Sequence, residues 1–310
     1  MKKFALVFPG QGSQTVGMMQ PFADSPEVRE VFSAASTTLG QDLWQLVSEG
    51  PPDALNSTVN TQPVMLAAGY ATYCAWRGAG GLEPTIVAGH SLGEYTALVV
   101  AGVLSFSDAI PLVRFRAEAM QEAVPLGTGA MAAILGLQDE VVQKACSEAA
   151  QGEIVEAVNF NAPNQVVIAG HRAAVERASA AAKAAGARRA LMLPVSAPFH
   201  SSLLEPAAQR LTQYMARLTF HAPRIPVINN VDVAMPTEPA AIRHALARQA
   251  CNPVRWVELI RAMARAGVTD IVECGPGKVL AGLTRRIDPA LQSHAISDTQ
   301  SLMQTLEALK

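Results

Sequence analysis

Apolar residues fall into two alternating rhythms along this chain. Short apolar runs that end in Gly, Pro or Asn occur at Phe4–Phe8, Thr85–Ala88, Ile225–Ile228 and Val268–Val272. Such runs suit strands buried on both faces, as in a parallel sheet. Between them the apolar positions take helical spacing, at residues 27–39, 63–78, 92–101, 107–123, 201–217, 239–250, 254–266 and 278–286. Strands alternating with helices predict an α/β layer fold around a parallel sheet.

The rhythm changes between about 128 and 196. The pattern there predicts a strand (Ala130–Leu137), a helix (Asp139–Ala149), two strands (Val155–Asn159 and Gln165–Ala169) turned at Asn161-Ala162-Pro163-Asn164, a helix (His171–Ala185) and a strand (Arg189–Val195). This βαββαβ order is ferredoxin-like. Because the larger pattern resumes after it, the expected organisation is a core of residues 1–127 and 197–310 with a small subdomain, 128–196, inserted into it. A cleft between the two is the natural place for a site.

Composition narrows the function classes. With 310 residues, half of them apolar, the chain can bury a large core. Its 24 Lys and Arg against 26 Asp and Glu leave a net charge of −2, which gives no general footprint for nucleic acid or an anionic membrane. The four cysteines, Cys74, Cys146, Cys251 and Cys274, are far apart and without CxxC spacing, so reduced thiols in a cytoplasmic protein are expected, with neither disulfide frame nor metal site. The basic start followed by Phe4–Phe8 is too short for the roughly 7–15 apolar residues of a signal sequence, and no run reaches the roughly 20 of a membrane span.

The candidate chemistry centres on GHSLGEY, residues 89–95. A strand, a sharp turn with Gly89 and Gly93 around Ser91, and then a helix make the GxSxG nucleophile elbow, in which the helix amino terminus faces developing negative charge. Of the six histidines, His200 suits the base best, since it closes Pro194-Val195-Ser196-Ala197-Pro198-Phe199-His200 on a proline-stiffened loop after a strand. His90 adjoins the serine and is expected to make a structural hydrogen bond. Glu94, in the first turn of the helix, is expected to complement free N–H groups there. To orient His200, the sequence offers Gln249-Ala250-Cys251-Asn252-Pro253 rather than a placed acid, which favours a Ser-His dyad steadied by a neutral carbonyl.

Gly10 and Gly12 follow the first strand, but Thr15 stands where GxGxxG needs its third glycine and no acid follows at the right distance, so a dinucleotide loop is excluded. That loop can instead supply an oxyanion-hole N–H together with the residue after Ser91, each donor being worth about 3 kcal/mol.

FPGQGSQ, GHSLGEY, RFRAEAM, NFNAPNQVVIAG, PVSAPFH, NPVRW and ECGPGKVL, in this order and nearly end to end, closely resemble the malonyl-coenzyme A:acyl carrier protein transacylases. The resemblance implies an α/β-hydrolase-like core with a ferredoxin-like insertion. It implies Ser91 as nucleophile, His200 as base, Gln249 holding His200 through a carbonyl, and the N–H groups of Gln11 and Leu92 as oxyanion hole. Arg116 would pair with the free carboxylate of the malonyl group, and Phe199 resembles the residue of malonyl-selective members. The implied reaction is ping-pong transfer from malonyl-CoA to Ser91 and then to the phosphopantetheine thiol of acyl carrier protein, for fatty acid synthesis, with no cofactor of the chain's own. A monomer is expected, with no nucleic-acid or membrane partner. Acyl carrier proteins are acidic, which makes Lys183, Arg188, Arg189, Lys278, Arg285 and Arg286 candidates for a docking patch. A serine thioesterase or esterase, a non-catalytic carrier-binding protein, and an acyltransferase serving a polyketide synthase or malonate decarboxylase are the rival readings.

Overall fold

The computed structural model describes residues 2–310. In chain order its elements are β1 (Phe4–Phe8), α1 (Pro26–Leu39), α2 (Leu43–Glu49), α3 (Pro52–Asn56), α4 (Thr58–Gly78), β2 (Ile86–Gly89), α5 (Gly93–Val100), α6 (Phe106–Glu122), β3 (Gly129–Leu135), α7 (Asp139–Ala150), β4 (Val155–Ala162), β5 (Gln165–His171), α8 (Arg172–Ala184) and β6 (Arg189–Met192). They continue with α9 (Glu205–Met215), α10 (Pro239–Gln249), α11 (Trp256–Arg265), β7 (Asp270–Cys274), α12 (Val279–Ile287), β8 (Gln292–Ile296) and α13 (Thr299–Ala308).

One sheet runs β2-β1-β7-β8 with every pair parallel. Every residue of β1 is buried, because both faces of the sheet are covered. Phe4, Leu6 and Phe8 point into the larger apolar core with α1, α4, α5 and α6, while Ala5 and Val7 join the core made by α11 and α12. This is why the strand reads as an unbroken apolar run. The 21-residue α4 is buried along most of its length, so its apolar residues do not form one stripe. No helix among the described residues is long and apolar enough to cross a membrane.

The second sheet is antiparallel, in the order β4-β5-β3-β6, with α7 and α8 packed together beside it. Its strands β3 and β5 alternate cleanly. Ala130, Ala132, Ile134, Val166 and Ile168 face α7 and α8 in a core of their own, whereas Met131, Val167 and Ala169 join the main core. Parallel and antiparallel sheets in one α/β chain give the architecture expected from the pattern.

The structure corrects the element predictions in three places. The run Ile225–Ile228 forms only a single parallel bridge, Val87 to Val227, because Pro226 has no N–H to give a ladder and serves only as acceptor for Val87. The strand predicted to reach Val195 ends at Met192, two residues before Pro194. Finally β8, α2, α3 and α13 were not foreseen: β8 begins Gln292-Ser293-His294, too polar to read as a buried strand.

Candidate active site

Ser91 sits at the carboxyl end of β2 with φ of 51°, the left-handed region that a non-glycine residue occupies only when its surroundings hold it there. The flanking glycines are needed for space. A Cβ on Gly89 would lie 1.8 Å from the Gly93 carbonyl carbon, and one on Gly93 would lie 2.0 Å from the Phe8 carbonyl oxygen. The turn therefore packs α5 directly against β1, which no side chain would permit. Asn230 locks it from outside: its Oδ1 accepts from the Ser91 N–H at 2.7 Å and its Nδ2 donates to the Gly89 carbonyl at 2.7 Å.

His200 lies with Nε2 2.7 Å from Ser91 Oγ, and its Nδ1 is 2.7 Å from the backbone carbonyl of Gln249. A carbonyl can only accept, so the proton is on Nδ1 and Nε2 is left to accept from the serine hydroxyl. Burial, reinforced by the Arg116 charge, pulls the His200 pKa down to about 3, which keeps the imidazole neutral and basic in form at ordinary pH. The residue itself has φ of 66°, so nucleophile and imidazole are both carried on strained backbone.

Arg116, on α6, is only 2% exposed. Its Nη1 donates to Gln62 Oε1 at 2.9 Å, and its Nη2 donates both to Gln249 Oε1 at 3.0 Å and to Ser91 Oγ at 3.1 Å. The guanidinium lies 5.3 Å from the Tyr95 ring centre. Its Nε is buried without a partner, and among the described residues no carboxylate forms an ion pair with it. A buried cation held beside a nucleophile and lacking an anion is arranged to receive one.

These groups open onto a cleft of about 620 Å³ between the two sheets, lined among others by Gln11, His90, Ser91, Leu92, Arg116, Met131, Phe199 and His200. The loop after β1 meets the elbow closely, since a Cβ on Gly10 would lie 2.5 Å from the His90 carbonyl oxygen. None of the hydrogen bonds among the described residues uses the N–H of Gln11 or of Leu92. The Gln11 side chain instead donates to Thr58 Oγ1. Phe199 is 9% exposed and shares its apolar surface between the cleft and the main core.

His90 spans to the antiparallel sheet, with Nε2 2.7 Å from Asn161 Oδ1 and its ring tilted against Trp256. Glu94 departs from expectation. Its carboxylate does not serve the helix amino terminus; Oε2 accepts from the Asn230 N–H and from Gln249 Nε2, both at 2.9 Å, and burial pushes its pKa up to about 7. No local sequence pattern marks Gln62, Asn230 or this role of Glu94, since each depends on segments far apart in the chain. All six basic residues considered for a docking patch are exposed.

Comparison with known proteins places this geometry among acyl-transfer enzymes. Residues 5–300 match the family model described as acyl transferase domain. The chain is 56% identical over 308 residues, 99% of its length and 100% of the relative's, to the malonyl CoA-acyl carrier protein transacylase of Escherichia coli K12. The crystal structure of the acyl-carrier-protein S-malonyltransferase of Burkholderia pseudomallei is 61% identical with a TM-score of 0.98, covering 98% of this chain and 99% of that one. A malonyl-transacylase solved in complex with its type II PKS acyl carrier protein is 53% identical, TM-score 0.98, covering 99% and 100%.

Proposed function

The chain belongs to the malonyl CoA-acyl carrier protein transacylases, and on that premise we propose how its own residues carry malonyl from coenzyme A to the carrier thiol. Ser91 Oγ attacks the thioester carbonyl carbon while His200 Nε2 takes the hydroxyl proton. The negative charge that develops on the carbonyl oxygen is received by the N–H groups of Gln11 and Leu92. As the C–S bond breaks, the imidazolium returns its proton to the leaving coenzyme A sulfur, and malonyl-Ser91 remains.

The second half runs the same steps with a new nucleophile. The phosphopantetheine thiol of acyl carrier protein gives its proton to His200, its sulfur attacks the ester, and the C–O bond breaks with the proton passing back to Ser91. The Gln249 carbonyl stabilises the Nδ1–H of the transient imidazolium, as a carboxylate would in a triad but without a second buried charge. Phosphopantetheine belongs to the partner, and every step uses groups of this chain, so the reading calls on no cofactor of its own. We place the enzyme in the cytoplasm as a supplier of fatty acid synthesis, with residues 128–196 as the small subdomain that closes one side of the cleft.

One observation supports selective malonyl transfer over plain esterolysis: the Arg116 guanidinium, 2% exposed and 3.1 Å from Ser91 Oγ, has no anion of its own. A planar fork at that range matches a carboxylate on the acyl group, and an apolar acyl chain would give it nothing. The test is incubation with malonyl-CoA, peptide mapping by mass spectrometry, and then addition of the holo carrier. A malonyl adduct on Ser91 that moves to the carrier is the expected result. Rapid release of free malonate with no malonyl carrier would make the chain a hydrolase.

A further inference from the structure

Glu94 lies one helical turn beyond Ser91 and is 2% exposed, and the mechanism above makes no use of it. Its Oε2 receives two donors at 2.9 Å, the Asn230 N–H and Gln249 Nε2. The Gln249 amide is saturated in turn. Its Nε2 also donates to the Ser91 carbonyl at 2.9 Å, and its Oε1 accepts from Arg116 Nη2 at 3.0 Å.

Those partners leave the amide one orientation. Arg116 can only donate, and the Ser91 carbonyl can only accept, as can an ionised Glu94. The nitrogen must therefore face Glu94 and Ser91, and the oxygen must face the guanidinium. Apart from Gln249 and the Ser91 hydroxyl, the guanidinium is anchored by hydrogen bonding only at Gln62, and its Nε has no partner. Its angle in the cleft thus depends on an amide whose own setting depends on Glu94. Two-point recognition of a carboxylate is sensitive to that angle.

We propose that Glu94 is a positioning residue for malonyl selectivity: by holding the Gln249 amide it sets the orientation of Arg116 before the malonyl carboxylate arrives. The inference rests on the reading of Arg116 given above. An acetyl group has no carboxylate to meet the fork, so its transfer does not depend on this orientation, whereas a role confined to holding the fold would affect both acyl groups alike.

The test compares malonyl-CoA and acetyl-CoA as donors to the holo carrier for the full chain carrying Glu94→Ala, Glu94→Asp or Glu94→Gln, with melting curves to establish that each folds. Glu94→Ala is expected to lower malonyl kcat/KM by roughly 10- to 100-fold, the scale of a misplaced substrate-positioning group, while acetyl kcat/KM changes by less than about threefold. Glu94→Asp, which keeps the charge but withdraws the oxygen, moves the same ratio by less and carries the comparison if the alanine variant does not fold. Glu94→Gln, which can offer an amide oxygen at the same point, recovers malonyl transfer to within about threefold. Equal losses for the two donors in folded variants, or a glutamine variant as impaired as the alanine one, overturns the inference. Arg116→Ala separates the two levels. If it spares malonyl as much as acetyl, the carboxylate reading fails; if it is selective and the Glu94 variants are not, only the positioning role fails.

Discussion

A buried arginine without an anion is the most consequential single residue in the cleft. Arg116→Ala should lower malonyl transfer by two orders of magnitude or more, on the scale of about 3 kcal/mol for a lost charge-assisted pair, and leave acetyl transfer level or improved. Steady-state kinetics with both donors decides this, and Arg116→Lys should recover little because an ammonium lacks the planar fork. His200 allows a second expectation. Because its pKa is depressed to about 3 by burial and by Arg116, nitrogen-detected NMR should find it neutral, with the proton on Nδ1, from pH 8 down to pH 5. A midpoint near 6.5 would show that the imidazole is not held as described. The elbow at Ser91 and the proline-stiffened loop that ends at His200 were each legible, since each is a local device, and the fold brings the two side chains within 2.7 Å. The burial of Arg116 was not legible, because Arg114, two positions earlier in the same helix, is half-buried and bonds instead to Gln41.

At the scale of elements, the junction of β7 and α12 holds another buried carboxyl. Glu273, fully buried, accepts the Ala281 N–H at 2.8 Å with one oxygen and has no partner on the other. Burial pushes its pKa up to about 7. In the folded chain the carboxyl therefore keeps its proton to a higher pH than in the unfolded chain, whose usual carboxylate pKa is 4.5. The stability it contributes is present below that lower value and is lost as pH rises through about 7. Glu273→Gln should remove this dependence. Relative to the parent it should gain on the order of 2 kcal/mol between pH 5 and pH 8 in chemical denaturation. A stability difference that is the same at both pH values would show that Glu273 does not titrate in this range. The sequence marked most elements here by their apolar rhythm, but it missed β8 and α13, whose place depends on pairing with β7 and on a local cap at Asp298 rather than on a strong apolar pattern.

The whole molecule is joined more tightly than an insertion suggests. One face of the antiparallel sheet, through Met131, Val167 and Ala169, belongs to the same apolar core as Leu6, Phe8 and Phe199. Backbone bonds tie β4 to the segment before α11, from Val254 N to the Val158 carbonyl and from Phe160 N to the Val254 carbonyl. Shared burial of this kind predicts a single cooperative thermal transition, with calorimetric and van't Hoff enthalpies in agreement. Two separable transitions in calorimetry would mean that the antiparallel unit folds by itself. The same joining places His90 of the elbow against Asn161 of β4, so the cleft is walled by both sheets.

The sequence by itself determined most of the strands and helices, and it determined the elbow, since apolar period and glycine placement act over a few neighbouring residues. Only the tertiary structure decided that Arg116 is buried without an anion, that Gln249 serves His200 with its backbone and Arg116 with its side chain, that Asn230 holds the turn in place, and that Glu94 holds the Gln249 amide. Those contacts join residues separated by 25 to 158 positions. Their existence depends on where folded elements come to rest and on the removal of water around them, and no local pattern of residue types carries that information.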